Sequence, residues 1–442
     1  MSLTPQRLVT LQVNSLEGEL SQSRTVPYVT PTLADVLAAR DRLAPYLNPT
    51  PLERSERLSA VMGREVFLKR EDLQPVRSYK VRGALNHVLA VLETGKNVDS
   101  FVTASAGNHA QGLAYACRAL QIPGTVVLPS RTPRQKRDRI QAIGGDLVKV
   151  VVQGSVFDDA ATYAQRLAQE TGAEFVPAFN SPLVVAGQGT VGLELASMLE
   201  TPSLVLAPVG GGGLLAGLYL AFQQTGHTLK GVEPVGAASM HAALLAGHPV
   251  LLNEVDSFCD GVAVRQVGDI PFEVLSAMTA RDILTVEEGA VATAMLELYQ
   301  ADGIITEPAG ALAVAALSLL SKNDDPEQPV VCIVSGSNHD VSRYAEVIER
   351  SLVHRGLKHY FLVEFDQTPG ALRRFLDSAL GADDDIVLFE YTKKSNRETG
   401  PALVGIELAQ PEGLTPLCER MAQTGIRYEL LAPGSPLQRF LV

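Results

Sequence analysis

Apolar runs alternate with amphipathic segments along most of the chain, and each run has the length of a single strand. The predicted strands include FVTAS (101–105), GTVVLP (124–129), DLVKVV (146–151), SLVLAPV (203–209) and VVCIVSG (330–336). The predicted helices between them include 108–120, 132–144 and 156–172. Repeated strand–helix units of this kind predict a parallel sheet with helices on both faces.

Two segments of this region follow the alternation less clearly. Residues 1–29 form a polar, irregular tail, and a helix is expected to open near 30–32, where Pro31 takes an early helical position. We interpret GQGTVGLELASML (187–199) as a glycine-rich turn that leads into a helix.

The pattern changes after residues 354–358. The expected elements are then strand 359–366, helix 371–380, strand 385–394, strand 402–409, helix 413–425 and strand 427–431. The order β-α-β-β-α-β is that of a ferredoxin-like α+β unit. The predicted division is a tail at 1–29, an α/β domain of two subdomains at 30–352, a linker at 353–357 and a small domain at 358–442.

Composition narrows the class of protein. The 442 residues are 46% hydrophobic but only 5% aromatic, with no Trp, which suits a parallel α/β core spread over two or three domains. The formal net charge of −12 disfavours nucleic acid and anionic membranes as partners. The four cysteines are far apart in sequence, so free thiols are expected and a disulfide scaffold is not.

The sequence gives no sign of a membrane span. It contains no run of 18 apolar residues, and its first 20 residues lack the apolar centre of a signal peptide. We therefore expect a soluble, cytoplasmic protein.

Four consecutive glycines in VGGGGLLAGLYLAF (209–222) follow a strand and open a helix. Successive amides without side chains at a helix N-terminus form an anion-binding nest, and phosphate is the expected guest. The stretch matches neither GxGxxG nor the P-loop pattern, which argues against a dinucleotide or a nucleoside triphosphate. The alternative is that the glycines only allow close packing of helix on strand.

Two polar turns also carry candidate chemistry. In SAGNHAQG (105–112), Asn108 could hydrogen-bond a phenolate-type oxygen, and the amides could hold a carboxylate. The alternative is that Asn108 caps a helix and His109 is solvated. In VSGSNHD (334–340), Ser335 could bond to a ring nitrogen, although the segment is also typical of an ordinary turn.

Lys80 lies in VRSYKVRG (76–83), directly before a helix-like run. It is either an ordinary cation at a helix start or a buried amine, and a buried, uncharged amine is a nucleophile that condenses with aldehydes. A phosphate nest, such a lysine and a neutral partner for a ring nitrogen together indicate pyridoxal 5′-phosphate, provided that they meet in space.

These motifs resemble a known family. KREDLQPVRSYKVRGALN, SAGNHAQG, AGQGT, VGGGGL and SGSN are similar, in order, to those of the biosynthetic threonine dehydratases (threonine ammonia-lyases). The resemblance runs from about residue 30 to 350 and implies the tryptophan-synthase-β-like, fold-type II architecture of pyridoxal phosphate enzymes. The C-terminal unit resembles the ACT-like regulatory domain of the same enzymes, in the short form with a single copy.

The resemblance implies roles for individual residues. Lys80 bonds covalently to the cofactor and later removes the proton from the substrate Cα, Asn108 contacts the ring hydroxyl, and Ser335 meets the pyridine nitrogen. The phosphate is held by Gly210, Gly211, Gly212, Gly213 and the amide of Leu214. The substrate carboxylate is seated by the loop that contains Ser105, Gly107 and His109.

Some positions depart from related enzymes or remain open. Related serine racemases have a second serine where this chain has Ala106, which argues against racemisation. They also bind a divalent cation through an acid where this chain has Ser239, so no metal is expected. Glu307 either lies near the ring or is only a helix-start carboxylate. We interpret the basic cluster at 134–139 as a solvated helix face.

The resemblance implies the conversion of L-threonine to 2-oxobutanoate and ammonia, the first step of isoleucine biosynthesis. It also implies isoleucine and valine as effectors and a homo-oligomer, either dimer or tetramer. The alternatives are a serine dehydratase or β-replacement enzyme of the same fold, with L-serine as substrate, and a non-catalytic amino-acid-binding regulator.

Overall fold

The computed structural model describes residues 29–320, 327–393, 398–432, 434, 435, 437 and 441. The predicted tail, apart from Val29, lies outside the described residues. In the described part of the chain, no helix has the length and apolar character needed to cross a membrane.

The strands, in chain order, are β1 (Leu52–Arg54), β2 (Val66–Arg70), β3 (Phe101–Ala104), β4 (Gly124–Leu128), β5 (Val148–Val152), β6 (Glu174–Phe175), β7 (Leu204–Pro208), β8 (Thr228–Pro234), β9 (Ile283–Val286), β10 (Val330–Val334), β11 (Lys358–Asp366), β12 (Asp385–Tyr391), β13 (Thr399–Glu407) and β14 (Arg427–Leu430).

The helices are α1 (Leu33–Leu43), α2 (Glu56–Met62), α3 (Lys80–Glu93), α4 (Asn108–Leu120), α5 (Arg134–Gly144), α6 (Phe157–Thr171), α7 (Pro182–Met198), α8 (Gly213–Phe222), α9 (Ser239–Ala246), α10 (Asp269–Val274), α11 (Glu288–Asp302), α12 (Pro308–Ala315), α13 (Tyr344–His354), α14 (Ala371–Ala379) and α15 (Leu414–Gln423). The elements predicted from the periodicity are present within a few residues of their predicted bounds.

Two sheets form the first part of the chain, and both are built from strand–helix units. One has the order β5-β4-β3-β6 and is wholly parallel. The other has the order β1-β2-β10-β7-β8-β9 and is parallel except for β1, which runs antiparallel to β2. Helices cover both faces of each sheet with apolar side chains, so the prediction of an α/β fold is confirmed.

The C-terminal sheet is antiparallel, with the order β12-β13-β11-β14. Its two helices, α14 and α15, pack on the face that carries Phe361, Val363 and Phe365. The rings of Phe365 and Phe375 meet edge to face with centroids 5.1 Å apart. This topology confirms the prediction of a ferredoxin-like unit.

The interpretation of residues 187–199 as beginning in a turn is wrong, because the glycines lie inside α7. That helix starts earlier, at Pro182, where the Ser181 hydroxyl accepts a hydrogen bond from the amide of Val184. A Cβ on Gly187 would lie 2.7 Å from the carbonyl oxygen of Arg82 in α3. The glycines of AGQGT therefore allow helix backbones to touch.

A buried network of charges fixes α3 against its neighbours. Arg82 donates through its guanidinium to Glu71 at 2.7 Å and to Glu194 of α7 at 2.6 Å. Lys69 of β2 donates to Glu194 at 2.6 Å and to the carbonyl oxygen of Thr50 at 2.7 Å. Burial acts to raise the pKa of Glu71, but the Arg82 and Lys69 charges hold it below its ordinary value. This network joins β2, α3 and α7.

Neutralising Glu194 tests whether the network is a structural anchor. We expect Glu194→Gln to lower the free energy of unfolding by roughly 3–5 kcal/mol, because the two buried cations lose a shared partner. The matched control is Glu170→Gln, whose pair with Arg166 is about two-thirds exposed on both sides and should contribute less than about 1 kcal/mol. Urea unfolding followed by circular dichroism measures both, and equal changes in the two variants would contradict the anchor role.

Candidate active site

A cavity of about 780 Å³ opens where the carboxyl ends of strands from both parallel sheets come together. Its wall includes the residues after β3, the glycine loop after β7 and the start of α3. The crevice outside the carboxyl ends of parallel strands is the usual ligand site of open α/β sheets. Lys80, the glycine loop and the turn SAGNHAQG therefore meet at one place.

Lys80 is the first residue of α3, and its side chain lines the cavity. The start of this helix is held by the amide of Tyr79, which donates to the carbonyl oxygen of Ser335 at 3.1 Å. The Lys80 ammonium donates to the carbonyl oxygen of Ala178 at 3.4 Å, a long hydrogen bond. Among the described residues, no ion pair includes Lys80, so no carboxylate holds its Nζ away from the cavity.

The glycine loop between β7 and α8 is shaped as an anion cradle. Gly212 caps α8 in the left-handed region, with φ of 90°. Within the described ranges, no oxygen accepts a hydrogen bond from the amides of residues 210–214. A Cβ on Gly211 would lie 2.2 Å from the ring of Phe179, so a side chain here would displace that ring. Free amides at the start of a ten-residue helix suit a phosphate dianion.

The loop after β3 presents further free donors at the start of α4. Ser105, Gly107, Asn108 and His109 all line the cavity. The side chain of Asn108 is held from both ends: its Nδ2 donates to Glu307 at 2.6 Å, and its Oδ1 accepts from Asn338 at 2.7 Å. Among the described residues, the amides of 108–110 have no acceptor, so they are free to bind a ligand oxygen.

His109 is a neutral imidazole in this structure. Burial, followed by the nearby Lys80 charge, lowers the pKa of His109 to about 3. Its Nε2 lies 3.0 Å from the carbonyl oxygen of Val176, which can only accept, so Nε2 carries the proton. Its Nδ1 is then an acceptor, and the described residues offer it no partner. The ring itself therefore has no donor left for a substrate carboxylate.

Ser335 is buried at the end of β10 and does not line the cavity. Its hydroxyl donates to the carbonyl oxygen of Ala309 at 3.3 Å. The structure thus brings together the lysine, the glycine loop and the residues of 105–109, and places Ser335 behind the wall. The assignment of Ser335 to a ring nitrogen stays a prediction.

Three cavity residues were not assigned from the sequence. Glu307 and Asn338 bracket Asn108, and Lys136 of α5 forms an ion pair of 2.6 Å with Asp260 across the cavity wall. The helix-start pattern TEPAG was a usable signal for Glu307. The basic cluster at 134–139 is in part the solvated face that we expected, since the side chain of Arg134 is 89% exposed, but Lys136 points to the site.

Glu233, which lies near Ser239, is engaged in internal hydrogen bonds. Glu233 accepts from the amides of Met240 and His241 at 2.7 Å and 2.9 Å. Burial raises the pKa of Glu233 to about 7. In the described ranges, no three His, Cys, Asp or Glu side chains are grouped to hold a metal ion.

The expected cofactor fits the residues present. Its phosphate matches the free amides of 210–214, its aldehyde matches the amine of Lys80, and its ring oxygen matches the remaining Nδ2 hydrogen of Asn108. The unpartnered buried atoms beside them, His109 Nδ1 and Gln111 Oε1, also belong to residues that line the cavity. A site with this donor set is incomplete without a polar ligand.

Comparison with known proteins agrees with this arrangement. Residues 43–336 match the family model described as pyridoxal-phosphate dependent enzyme, and residues 349–441 match the C-terminal regulatory domain of threonine dehydratase. The biosynthetic L-threonine dehydratase IlvA of Mycobacterium tuberculosis is 54% identical over 97% of this chain and 100% of its own length. Its counterpart in Corynebacterium glutamicum is 50% identical over 92% and 94%.

Solved structures show the same fold. The processed form of threonine deaminase isoform 2 from Solanum lycopersicum is 36% identical, with a TM-score of 0.67 over 75% of this chain and 99% of its own. Maize serine racemase is 28% identical, with a TM-score of 0.67 over 74% and 99%. The chain therefore belongs to the pyridoxal-phosphate-dependent enzymes and, within them, to the biosynthetic threonine dehydratases that carry a C-terminal regulatory domain.

Proposed function

We propose that this chain converts L-threonine to 2-oxobutanoate and ammonia, with Lys80 as the residue that moves the Cα proton. The observation that carries the proposal is the meeting of Lys80, the glycine loop and the start of α4 around one cavity. A chain whose catalytic half had decayed into a binding module would have no reason to keep all three.

The residues that would hold pyridoxal phosphate can be named. The amides of 210–214 would bind its phosphate, Asn108 its ring hydroxyl and Lys80 its aldehyde, and Ser335 is our candidate for the pyridine nitrogen. When bound, the cofactor withdraws electrons from the substrate Cα and so acidifies the proton on that carbon.

The chain's own groups account for the rest of the reaction. The Lys80 amine accepts the Cα proton, and the β-hydroxyl departs as water with a proton that the phosphate held by the glycine loop would supply. The enamine that remains tautomerises to an imine, whose hydrolysis gives 2-oxobutanoate and ammonia. The free amides at the start of α4 would hold the substrate carboxylate, with the positive end of the helix dipole behind them. This assignment uses the backbone of the 105–109 loop, since the ring of His109 has no free donor.

The side chain of Ala106 favours elimination over racemisation. Serine racemases share the fold, and a racemase needs an acid on the face of Cα opposite the lysine. Ala106 lines the cavity with a methyl group, which has no proton to give. We therefore favour elimination over racemisation, with L-threonine as the preferred substrate and L-serine as the alternative.

We propose that the C-terminal domain acts on the active site through α13. Arg350 of α13 and Arg343, the residue before that helix, lie over the ring of Phe258, with guanidinium carbons 4.6 Å and 5.5 Å from its centroid. Phe258 is two residues from Asp260 in the cavity wall. Next to Arg350 on the same helix, Glu349 accepts a hydrogen bond from Tyr360 of β11 at 2.7 Å. We propose isoleucine as inhibitor and valine as its opponent, both bound at the C-terminal domain.

We keep the predicted domain limits, 30–352 and 358–442, as part of this proposal, although α13 extends two residues into the predicted linker.

The edge strands β12 and β14 are candidates for pairing across a two-fold axis in a dimer or tetramer. The loops at 368–370 and 395–400 are candidates to enclose the effector, and residues 395–397 lie outside the described residues. The free thiols of all four cysteines suit a reducing compartment such as the cytoplasm.

Replacing the lysine tests the catalytic assignment. We expect Lys80→Ala to lose roughly 10³-fold or more in turnover of L-threonine, because both the covalent attachment and the base are removed. Its visible absorbance with added pyridoxal phosphate should be that of the free cofactor. Lys149→Ala, at an exposed position of β5, is the control and should behave as the wild type. Near-normal turnover in Lys80→Ala would rule out this site.

Closing the glycine cradle tests the phosphate position. Gly211→Ala should weaken cofactor retention on gel filtration, because its Cβ collides with the ring of Phe179. The double variant Gly211→Ala/Phe179→Ala removes that collision and should recover part of the retention. Tight cofactor binding in the single variant would place the phosphate elsewhere.

Cutting one hydrogen bond tests the regulatory route. Tyr360→Phe should raise the isoleucine concentration for half-inhibition about fivefold or more, within the usual range of coupling energies, and leave kinetics without isoleucine unchanged. Tyr428→Phe, in the neighbouring strand of the same sheet, donates only to the Cys418 carbonyl and is the matched control. Equal isoleucine sensitivity in both variants would contradict the route through α13.

A further inference from the structure

We propose that Glu307 is a positioning residue for the cofactor: its carboxylate fixes the amide of Asn108, and through that amide the ring hydroxyl. The inference rests on the proposed function, because it takes the ring of pyridoxal phosphate as the ligand. Glu307 Oε1 accepts from Asn108 Nδ2 at 2.6 Å, and both residues line the cavity.

The orientation of the Asn108 amide is determined from two sides. Asn338 Nδ2 donates to the carbonyl oxygen of Val76 at 2.8 Å and to Asn108 Oδ1 at 2.7 Å, which uses both of its hydrogens. Asn108 must therefore turn its oxygen to Asn338 and its nitrogen to Glu307. One Nδ2 hydrogen remains, and it is the donor available to an oxygen in the cavity.

The fold holds the Glu307 carboxylate in place. Glu307 precedes Pro308 at the start of α12, and its amide donates to the carbonyl oxygen of Gly336 at 3.2 Å. A Cβ on Gly336 would lie 2.4 Å from Oε1, so only glycine at 336 leaves this space for the carboxylate. The turn that carries Asn338 and the start of α12 thus converge on Asn108 from opposite sides.

The charge of Glu307 responds to pH near neutrality. Burial, and then the negative charge of Asp260, raises the pKa of Glu307 to about 7, while the bond from Asn108 and the cations Lys136 and Lys80 act to lower it. Above that pKa the carboxylate accepts a charge-assisted hydrogen bond from Asn108. Below it the bond is between neutral groups and is roughly half as strong. The hold on Asn108 therefore weakens as the pH falls through about 7.

Titration of apoenzyme with pyridoxal phosphate tests this inference without reference to turnover. We expect Glu307→Gln, which keeps the size and removes the charge, to raise the cofactor Kd about tenfold or more at pH 8. At pH 6 the wild type is itself protonated, so the two Kd values should agree within about threefold. A Kd ratio that does not change between the two pH values would overturn the proposal.

A double-mutant cycle identifies the route. In an Asn108→Ala background, Glu307→Gln should change the Kd less than about twofold, because the residue through which Glu307 acts is gone. Full additivity of the two variants would overturn the positioning role.

A second variant covers the case in which Glu307→Gln fails to fold. Glu307→Asp retains the charge but withdraws it by one methylene, so it should weaken cofactor binding at pH 8. An unchanged Kd in that variant would overturn the proposal. Failure of the wild-type apoenzyme to bind pyridoxal phosphate would instead refute the proposed function.

Discussion

The buried contact between Arg82 and its two carboxylates determines where Lys80 can be. Arg82 and Lys80 share the first turn of α3, so a helix held by Glu71 and Glu194 also holds the Lys80 side chain toward the cavity. A buried cation of this kind costs desolvation energy, which only close carboxylates offset. The desolvation cost lowers the net stabilisation that the network provides. The network nevertheless fixes the orientation of α3, since any rotation of the helix would break several charged hydrogen bonds at once.

The same constraint explains why glycine recurs around α3. A helix held this tightly needs neighbours that approach its backbone, and α7 does so at Gly187. The glycines after β7 have a different task, because their amides face the cavity and have no partner in the described part of the chain. Glycine therefore allows helix packing in one motif and leaves amides facing the cavity in the other, although both are glycine-rich stretches in the sequence.

This difference marks what the sequence could and could not predict. Strands and helices followed from local periodicity, and the lysine, the glycine loop and the 105–109 loop followed from side-chain chemistry. The start of α7 was missed because the glycines suggested a turn, whereas the Ser181-Pro182 cap was the better signal. Lys69 and Arg82 look like surface charges in a sequence, since their partners are distant along the chain. The role of Lys136 was missed for the same reason.

Helix α13 links the regulatory sheet to the wall of the cavity. Arg350, which contacts Phe258, directly follows Glu349, which accepts the bond from Tyr360, so a shift of Tyr360 would be transmitted through this helix to Phe258. Such a shift can change activity only if an effector prefers one position of the helix. The Lys136–Asp260 pair joins the wall beside Phe258 to α5 of the other sheet, so a displaced α13 would act on the spacing of the two halves of the cavity. A coupling of this kind needs no contact between an effector and Lys80.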